Sequence, residues 1–419
     1  KGASSLFGIR TDMQFGKLKL QTVLSRKNST TKSVSSKGGT QMTPFELNVA
    51  DYEENRHFFL ASYFREHYDA AMSQLPNILS GITINRIEVW VTNKSATTQN
   101  TRTVIAMADL SESRSPQWGA PSSTSALPSN DANSEYDALT TTYAGARNPD
   151  QTSAVLEGKF LGGRDYEKLS AARLLTSSEY TLNASLGYIS LKTALQTDQV
   201  LAVAYEYTYG GRTYQVGEFA SNHTAAGEAI YVKALKNTSN NPQQVNWPLM
   251  MKNVYYLASN VERTKFRLDI KFQSDTAGVY LNYIPEQQTK DVILLRGLGC
   301  DRLDNNNKPY PNGYFDFVEG YTVQNGRVFF PSAEPFGATL KNFLLSRGMT
   351  EEAARTYTFQ ELYDTTRTAA KQMTDKNKYL LVGQFKGTSA NVISLGAYNV
   401  PQGSVHVTAG GVELTEGSD

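Results

Sequence analysis

The sequence predicts a mainly β fold, with an amphipathic hairpin at its start and a large β-sandwich-like segment of mixed β and α structure after it. Two observations lead to this prediction. Residues 5–27 alternate strictly between apolar and polar side chains, which is typical of strands. The 419 residues also include 24 tyrosines and 18 phenylalanines, and aromatic residues are enriched in strands.

The opening hairpin has one apolar and one polar face. Gly16 suits the first central position of a two-residue type II′ turn, which would pair Met13 with Leu20 and Asp12 with Gln21. Each strand is about ten residues long, enough to cross a bilayer when tilted. The pattern fits either a soluble amphipathic hairpin, which is the commoner case, or part of a transmembrane β-barrel. The apolar face holds Phe7, Ile9, Met13, Phe15, Leu18, Leu20 and Leu24, and the polar face holds Arg10, Asp12, Gln14, Lys19 and Gln21.

Composition sets broad limits on the class of protein. The net charge of +1 gives no electrostatic preference for nucleic acid, and the single cysteine, Cys300, excludes an internal disulfide. No apolar run is long enough for a membrane-spanning helix. Because the chain begins at Lys1 without a signal peptide, we expect it to be an excerpt of a longer protein.

Shifts in composition predict five segments along the chain. The helix expected over residues 51–75 would begin at a capping box formed by Asp51 and Glu54 and would stop at Pro76. The two histidines in this stretch lack the spacing of helical zinc sites, so we expect ordinary polar roles for them. The segments are the hairpin (1–27), a polar connector (28–44), an inserted β-rich domain that contains the helix (45–280), a second β/α segment (281–399) and the start of a next unit (400–419).

Several later elements follow from their local patterns. "ITINRIEVWVTNK" predicts a strand, and "YISLKTAL" with "QVLAVAYEYTYGGRTYQVGEF" predicts three, the last two joined at Gly210 and Gly211. "VYYLASN" and "KFRLDIKFQ" predict two more strands. Residues 111–150 are rich in Ser, Pro, Asn and Gly and predict a long loop. Helices are expected over 339–345 and 359–373.

One loop carries a dense group of oxygen donors. Calcium accepts carboxylate and carboxamide ligands, but the spacing here does not match an EF-hand. Asp and Asn also stabilise turns by bonding their own backbone, and we favour a structural turn over a calcium site. The residues of this Asp/Asn loop are Asp301, Asp304, Asn305, Asn306 and Asn307.

Catalytic signatures are scarce in the sequence. Asp316 and Glu319 are a candidate acid/base pair, although nothing in the sequence places them in a pocket. We find no nucleophile elbow, phosphate-binding glycine loop or zinc signature. We therefore expect that the protein is not an enzyme and needs no cofactor, apart from the calcium that the Asp/Asn loop could bind.

Five stretches in the same order resemble the SprA/Sov family, the outer-membrane translocon of the type IX secretion system of Bacteroidota. They are "SSLFGIRTDMQFGKLKLQTVLS", "DYEENRHFFLASYFREHYD", "EVWVTN", "NGYFDFVEGYTVQNGRVFFPSAEPFG" and "VPQGSVHVTAGGVELTEGSD". The chain resembles one copy of a repeated N-terminal-type module. Such a resemblance implies a very large single-chain β-barrel that exports folded cargo and, in gliding species, supports gliding motility.

The resemblance also implies partners, location and orientation. The partners would be cargo proteins with C-terminal sorting domains, a PorV-type shuttle barrel, a periplasmic plug protein and membrane lipid, without nucleic acid. The hairpin would be a transmembrane β-barrel hairpin with its apolar face towards lipid and its polar face towards the lumen. Because such barrels use short periplasmic turns, the large insertion would lie on the extracellular side.

Two other functions fit parts of the sequence. A cell-surface β-sandwich binding module, an adhesin or glycan-binding protein, would account for the many tyrosines and the strand-rich middle. A secreted hydrolase would use a carboxylate pair such as Asp316 and Glu319. Neither function explains the alternating hairpin, so the translocon is the preferred hypothesis.

Overall fold

The protein is mainly β, with several separate sheets and short helices between them. The computed structural model describes residues 7–15, 18–26, 42–95, 99–113, 115, 118, 127–223, 227–275, 278–386, 405–409 and 412–414. Among these residues, no helix has both the length and the apolar character required to span a membrane.

The elements are numbered in chain order. The strands are β1 (Phe7–Phe15), β2 (Leu18–Arg26), β3 (Met42–Asn48), β4 (His57–Phe59), β5 (Ile82–Val91), β6 (Thr101–Met107), β7 (Tyr166–Leu174), β8 (Tyr180–Asn183), β9 (Tyr188–Leu191), β10 (Leu201–Tyr209), β11 (Arg212–Val216), β12 (Ile230–Lys236), β13 (Val254–Tyr256), β14 (Glu262–Gln273), β15 (Tyr280–Leu281), β16 (Val323–Gln324), β17 (Arg327–Phe329), β18 (Tyr379–Lys386), β19 (Val407–Ala409) and β20 (Val412–Leu414). The α-helices are α1 (Ser62–Ala71), α2 (Glu135–Thr140), α3 (Thr152–Leu156), α4 (Leu294–Gly297), α5 (Leu340–Ser346), α6 (Glu351–Tyr357), α7 (Glu361–Asp364) and α8 (Arg367–Gln372).

The opening hairpin has the predicted register. Strands β1 and β2 pair antiparallel, with Met13 opposite Leu20 and Asp12 opposite Gln21. The predicted turn at Gly16 lies outside the described residues. The proposed lipid-facing and lumen-facing sides of the hairpin stay predictions, because only the backbone of these strands is described.

The largest sheet has the strand order β11-β10-β12-β6-β7-β5, and β5 pairs with β10 as well as with β7. Five strands therefore form a ring of paired neighbours. Both faces of β10 are buried: Ala202 and Ala204 pack in one apolar core, whereas Val203 and Tyr205 pack in another. This explains why the first five residues of β10, 201–205, are continuously apolar rather than alternating.

A second sheet brings together the two ends of residues 42–386, which we call the inserted body. Its order is β15-β14-β18-β3, so the strand that enters the body lies beside the strand that leaves it. Met42, the first residue of β3, is directly opposite Lys386, the last residue of β18. The pairing of β3 with β18 joins strands from both sides of the predicted domain boundary at residue 280. Leu47 of β3 and Leu381 of β18 also pack in the same apolar core. The predicted domain boundaries stay predictions.

The helix predicted over residues 51–75 is shorter than expected. Asn48, not Asp51, is the capping residue: its side chain accepts a hydrogen bond from the Ala50 N–H, and the Asp51 carboxylate accepts one from the Asn48 N–H. This closes a single 3-10 turn. Asn55 then has a φ of 60°, which no right-handed helix can include. The chain therefore forms β4 first, and α1 begins only at Ser62.

Other predicted elements agree with the structure to different degrees. The strands predicted within 82–94 and 188–219 are present as β5, β9, β10 and β11, and the hairpin turn has positive φ at Gly210 and Gly211. The predicted loop over 111–150 includes α2 and a 3-10 turn, Ala144–Arg147. The helix predicted over 359–373 is divided into α7 and α8, because Thr366 caps a new helix.

Candidate functional site

The Asp/Asn loop binds N–H groups rather than gathering its oxygens around one point. Asp304 is partly exposed, and its Oδ1 accepts the N–H groups of Asn306 and Lys308 at 2.7 and 2.9 Å, which closes a tight turn. The buried carboxylate of Asp301 instead accepts the N–H groups of Asn312 and Gly313, at 2.8 and 3.0 Å.

The other residues of this loop also act within the turn. Arg263 donates to the Asn305 carbonyl oxygen and to the Asn307 side chain, at 2.7 and 2.8 Å. No group of three or more His, Cys, Asp or Glu side chains within the described residues is arranged to hold a metal ion. These bonds favour the turn, and the calcium site stays a prediction.

Asp316 and Glu319 do not converge on a shared pocket. Asp316 is buried and accepts the N–H groups of Arg302 and Leu303 at 2.7 and 2.9 Å, whereas Glu319 is exposed. Burial raises the pKa of Asp316 to about 6, and the nearby Asp301 carboxylate adds to the rise. The contacts of Asp316 assign it to holding the loop, because two backbone groups depend on it.

A second cluster joins three elements around Glu53. His57 is fully buried, with Nδ1 2.7 Å from the Ser190 hydroxyl and Nε2 2.9 Å from the Glu53 carboxylate. Hydrolase triads place serine on Nε2 and the carboxylate on Nδ1, so the order here is the reverse. Burial lowers the pKa of His57, which keeps the ring neutral at pH 7. The cluster fits a structural link between β4 and β9, since His57 and Ser190 are paired in their register.

The strongest candidate for ligand binding is a pair of recesses that share Trp247 as a lining residue. Trp247 begins a 3-10 turn, Trp247–Leu249, and is fixed there because its indole N–H donates to the Tyr363 carbonyl oxygen at 2.7 Å. Both recesses are lined by Trp247 and Met250. The side chain of Trp247 is only 7 % exposed, so it forms a shared wall rather than a stacking platform.

The charged recess lies on the side of α1 and has a cavity of about 40 Å³. A cavity of this size holds a few water molecules or one small polar group. Arg65 forms an ion pair with Glu334, which also accepts a hydrogen bond from Gln360 at 3.0 Å. Lys252 is buried in the wall of this recess. Its lining includes Phe59, Arg65, Trp247, Lys252, Glu334 and Tyr363.

The amide recess is lined by Asn55, Asn237 and Asn246 and has a cavity of about 20 Å³, which is enough for one water molecule. Asn55 is 4 % exposed, and its Oδ1 has no hydrogen-bond partner within the described part of the chain. Asn237 and Asn246 are linked by a 2.8 Å hydrogen bond. The recess therefore offers one unused buried acceptor beside a network of amides.

These recesses were not predicted, although the sequence contains two signals for them. Lys252 and Asn253 interrupt the otherwise apolar run "PLMMKNVYY", and "NTSNNPQQVNW" gathers amide side chains before Trp247. The second composition also fits an ordinary loop. Only the fold brings these segments against α1 and the Tyr363 region, more than 100 residues away in sequence.

Comparison with known proteins supports the resemblance found in the sequence. The model of a family described as "motility related/secretion protein", SprA_N, matches residues 1–206. This range includes the opening hairpin, α1 and most of β10. A search of curated proteins found no match. The match supports a SprA/Sov-type N-terminal module over residues 1–206, which is just under half of the chain.

Proposed function

We propose that this chain is part of an outer-membrane protein-conducting channel that exports folded cargo in type IX secretion and supports gliding motility in gliding species. The family match supports a role in secretion or motility at a general level. The finer proposal rests on how the hairpin and the inserted body are connected.

One observation carries the proposal: the inserted body starts and ends at a single point. The first residue of β3, Met42, pairs with the last residue of β18, Lys386. One hairpin, β1 and β2, precedes this junction in sequence, and another, β19 and β20, follows it. A chain can therefore leave a barrel wall, fold a body of more than 300 residues and return to the wall at the same place.

The faces of the opening hairpin determine how it would sit in such a wall. Side chains alternate across a strand, so Met13 and Leu20 share one face, and Asp12 and Gln21 share the other. Charged residues on a lipid-facing side cost about 2–4 kcal/mol at the bilayer midplane. We therefore assign the apolar face to lipid and the polar face to the lumen.

The proposed partners follow from this role. Folded cargo with a C-terminal sorting domain would pass through the lumen, a PorV-type shuttle barrel would receive it, and a periplasmic plug protein would close the empty channel. The inserted body would lie outside the cell as part of a cap, because outer-membrane barrels place short turns in the periplasm and long connections outside. No enzymatic step is part of this proposal.

Cysteine labelling in intact cells tests the position of the body. Ser177 and Ser239 are exposed, and either can be changed to cysteine in the whole protein. Background labelling of this chain by the maleimide should be low, because its one native cysteine, Cys300, is buried. A membrane-impermeant maleimide should label both variants in intact cells. Labelling only after the outer membrane is permeabilised would place the body in the periplasm and refute the orientation.

A further inference from the structure

Three buried lysines within the body differ in how their ammonium groups are satisfied. An ammonium group has three N–H donors and a charge that is costly to bury unless it is paired or fully hydrogen-bonded. Lys233, Lys236 and Lys252 are 1 %, 6 % and 3 % exposed, respectively. Their surroundings can therefore be compared directly.

Two of the three are either paired with an opposite charge or fully hydrogen-bonded. Lys233 forms an ion pair with Glu112 at 2.9 Å and also donates to the Ala108 carbonyl oxygen. Lys236 donates to three carbonyl oxygens, at 2.8, 2.8 and 3.0 Å, which uses all of its N–H groups. Neither group requires a further partner.

Lys252 has neither an ion-pair partner nor a full set of hydrogen bonds among the described residues. Its Nζ donates to the carbonyl oxygens of Trp247 and Met250 at 3.3 and 3.2 Å, both longer than the bonds of Lys236. The Nζ atom also lies 4.6 Å from the centre of the Trp247 ring. Within the described residues, no carboxylate is within ion-pair distance of Nζ, and no third oxygen accepts from it.

Lys252 lies in the wall of the charged recess. The cavity there, about 40 Å³, is also lined by the Arg65 guanidinium. We propose that this recess binds a single carboxylate group, which completes the hydrogen bonding of Lys252 and is held between Lys252 and Arg65. The inference is independent of the proposed role in secretion.

Other charges around the recess limit its affinity. Glu334 and Asp364 line it as well, but Glu334 is already bound by Arg65 and Gln360. The pKa of Lys252 is lowered to about 7, mainly by burial and also by Arg65, although Glu334, Asp364 and Glu54 act in the opposite direction. A bound carboxylate favours the charged form of Lys252. Binding must therefore be coupled to uptake of a proton near neutral pH.

The test measures this coupling on the purified 419-residue chain in detergent. Lysine labelled with ¹³C at Cε reports the pKa of each buried lysine by NMR, and Lys252→Met assigns the signal. At an acetate concentration nine times its Kd, the pKa of Lys252 should rise by about 1. The matched control is Lys236, whose donors are all used, and its pKa should not change with acetate.

Several results would overturn the proposal. An unchanged Lys252 pKa, an equal rise at Lys236, or an equal rise with chloride at the same ionic strength would each contradict a carboxylate site. A second measurement does not depend on NMR: acetate should raise the melting temperature of the native chain but not that of Lys252→Met. The variant should fold, because methionine replaces a buried charge with an apolar side chain of similar length.

Two sources of the carboxylate can be separated in the same assay. A short peptide with a free C-terminal carboxylate, compared with its amidated form, tests whether the recess accepts the end of another chain. If the free-carboxylate peptide raises the Lys252 pKa as acetate does, and its amidated form does not, the recess accepts a chain terminus. If acetate alone does so, the ligand is a free small carboxylate. Both results support the site.

Discussion

Replacing Glu53 with glutamine should measurably weaken the body, because Glu53 links three elements through charge. Its carboxylate accepts hydrogen bonds from Arg327 at 2.5 and 3.3 Å and from His57 at 2.9 Å, and Arg56 lies 3.4 Å away. The side chains of Glu53 and Arg327 are each 16 % exposed. A glutamine at this position could still bond His57, whereas the ion pair with Arg327 would be lost.

The lowered pKa of Glu53 gives the size of the expected loss in the free energy of unfolding. Burial alone would raise this pKa, but hydrogen bonds from His57 and Arg327 outweigh burial and lower it from 4.5 to about 2. Because His57 is itself neutral at pH 7, Arg327 is the main cation. A fall from 4.5 to 2 corresponds to about 3 kcal/mol at 1.36 kcal/mol per pKa unit. We expect Glu53→Gln to lower the free energy of unfolding by about 2–3 kcal/mol at pH 7.

Urea unfolding of the purified chain measures the loss of free energy of unfolding. The slope of that free energy against urea concentration should be the same for the native chain and the variants. The matched control is Glu352→Gln, since Glu352 is exposed and its side chain has no partner within the described residues. The control should change the free energy of unfolding by less than about 0.5 kcal/mol. A Glu53→Gln effect no larger than the control would refute the reasoning.

The pH dependence of the same difference provides a further check. The folded pKa of Glu53 is below its unfolded value, so its contribution is complete above about pH 4.5 and is lost as pH falls towards 2. The difference between the native chain and Glu53→Gln should therefore fall to about half at pH 3. A difference that stays constant from pH 7 to pH 3 would show that charge is not the cause.

Three further predictions concern the wall, the Asp/Asn loop and the junction. Leu20→Arg should impair assembly in the outer membrane by about 2–4 kcal/mol, whereas Gln21→Arg should be tolerated, and equal tolerance would defeat the face assignment. Calorimetry should detect only weak calcium binding, and micromolar affinity abolished by Asp304→Ala would contradict the structural turn. Gly383→Ala should lower the free energy of unfolding, measured in urea, by about 3 kcal/mol, because the added Cβ atom would meet the backbone of β14. The control Gly210→Ala, in an open turn, should cost about 1 kcal/mol. Equal losses for the two variants would contradict the close packing at Gly383.

The sequence predicted best those elements whose evidence is local. The register of the opening hairpin follows from alternation and one turn residue, and β10 and β11 follow from a pair of glycines. In each case the strand and its partner are adjacent in sequence. Neither alternation nor turn chemistry requires knowledge of distant contacts.

Elements with distant partners were predicted poorly. Strand β4 lies within the helix predicted over residues 51–75, because the capping-box pattern of Asp51 and Glu54 is local, whereas the partner strand β9 lies about 130 residues later. The positive φ of Asn55 and the cap at Asn48 decide the local structure, but asparagine is compatible with many backbone conformations. The charged recess depends on contacts between four separated segments, so no local pattern could have predicted it.

In the proposed channel, the junction between β3 and β18 would carry any force that passes between the barrel wall and the inserted body, because the body's two ends meet there. Gly383 in β18 allows this close approach: a Cβ atom at this position would lie 2.0 Å from the Arg267 carbonyl oxygen and 2.7 Å from the Phe45 ring. The first contact is with backbone, which cannot move away without breaking the pairing of β14 with β18. Strand β18 therefore needs a glycine at position 383 to pack closely against β14 along one edge. Along its other edge, its continuous pairing holds β3. A junction built this way is stiff, so we expect the body to move with the wall strands rather than to swing on a loose tether.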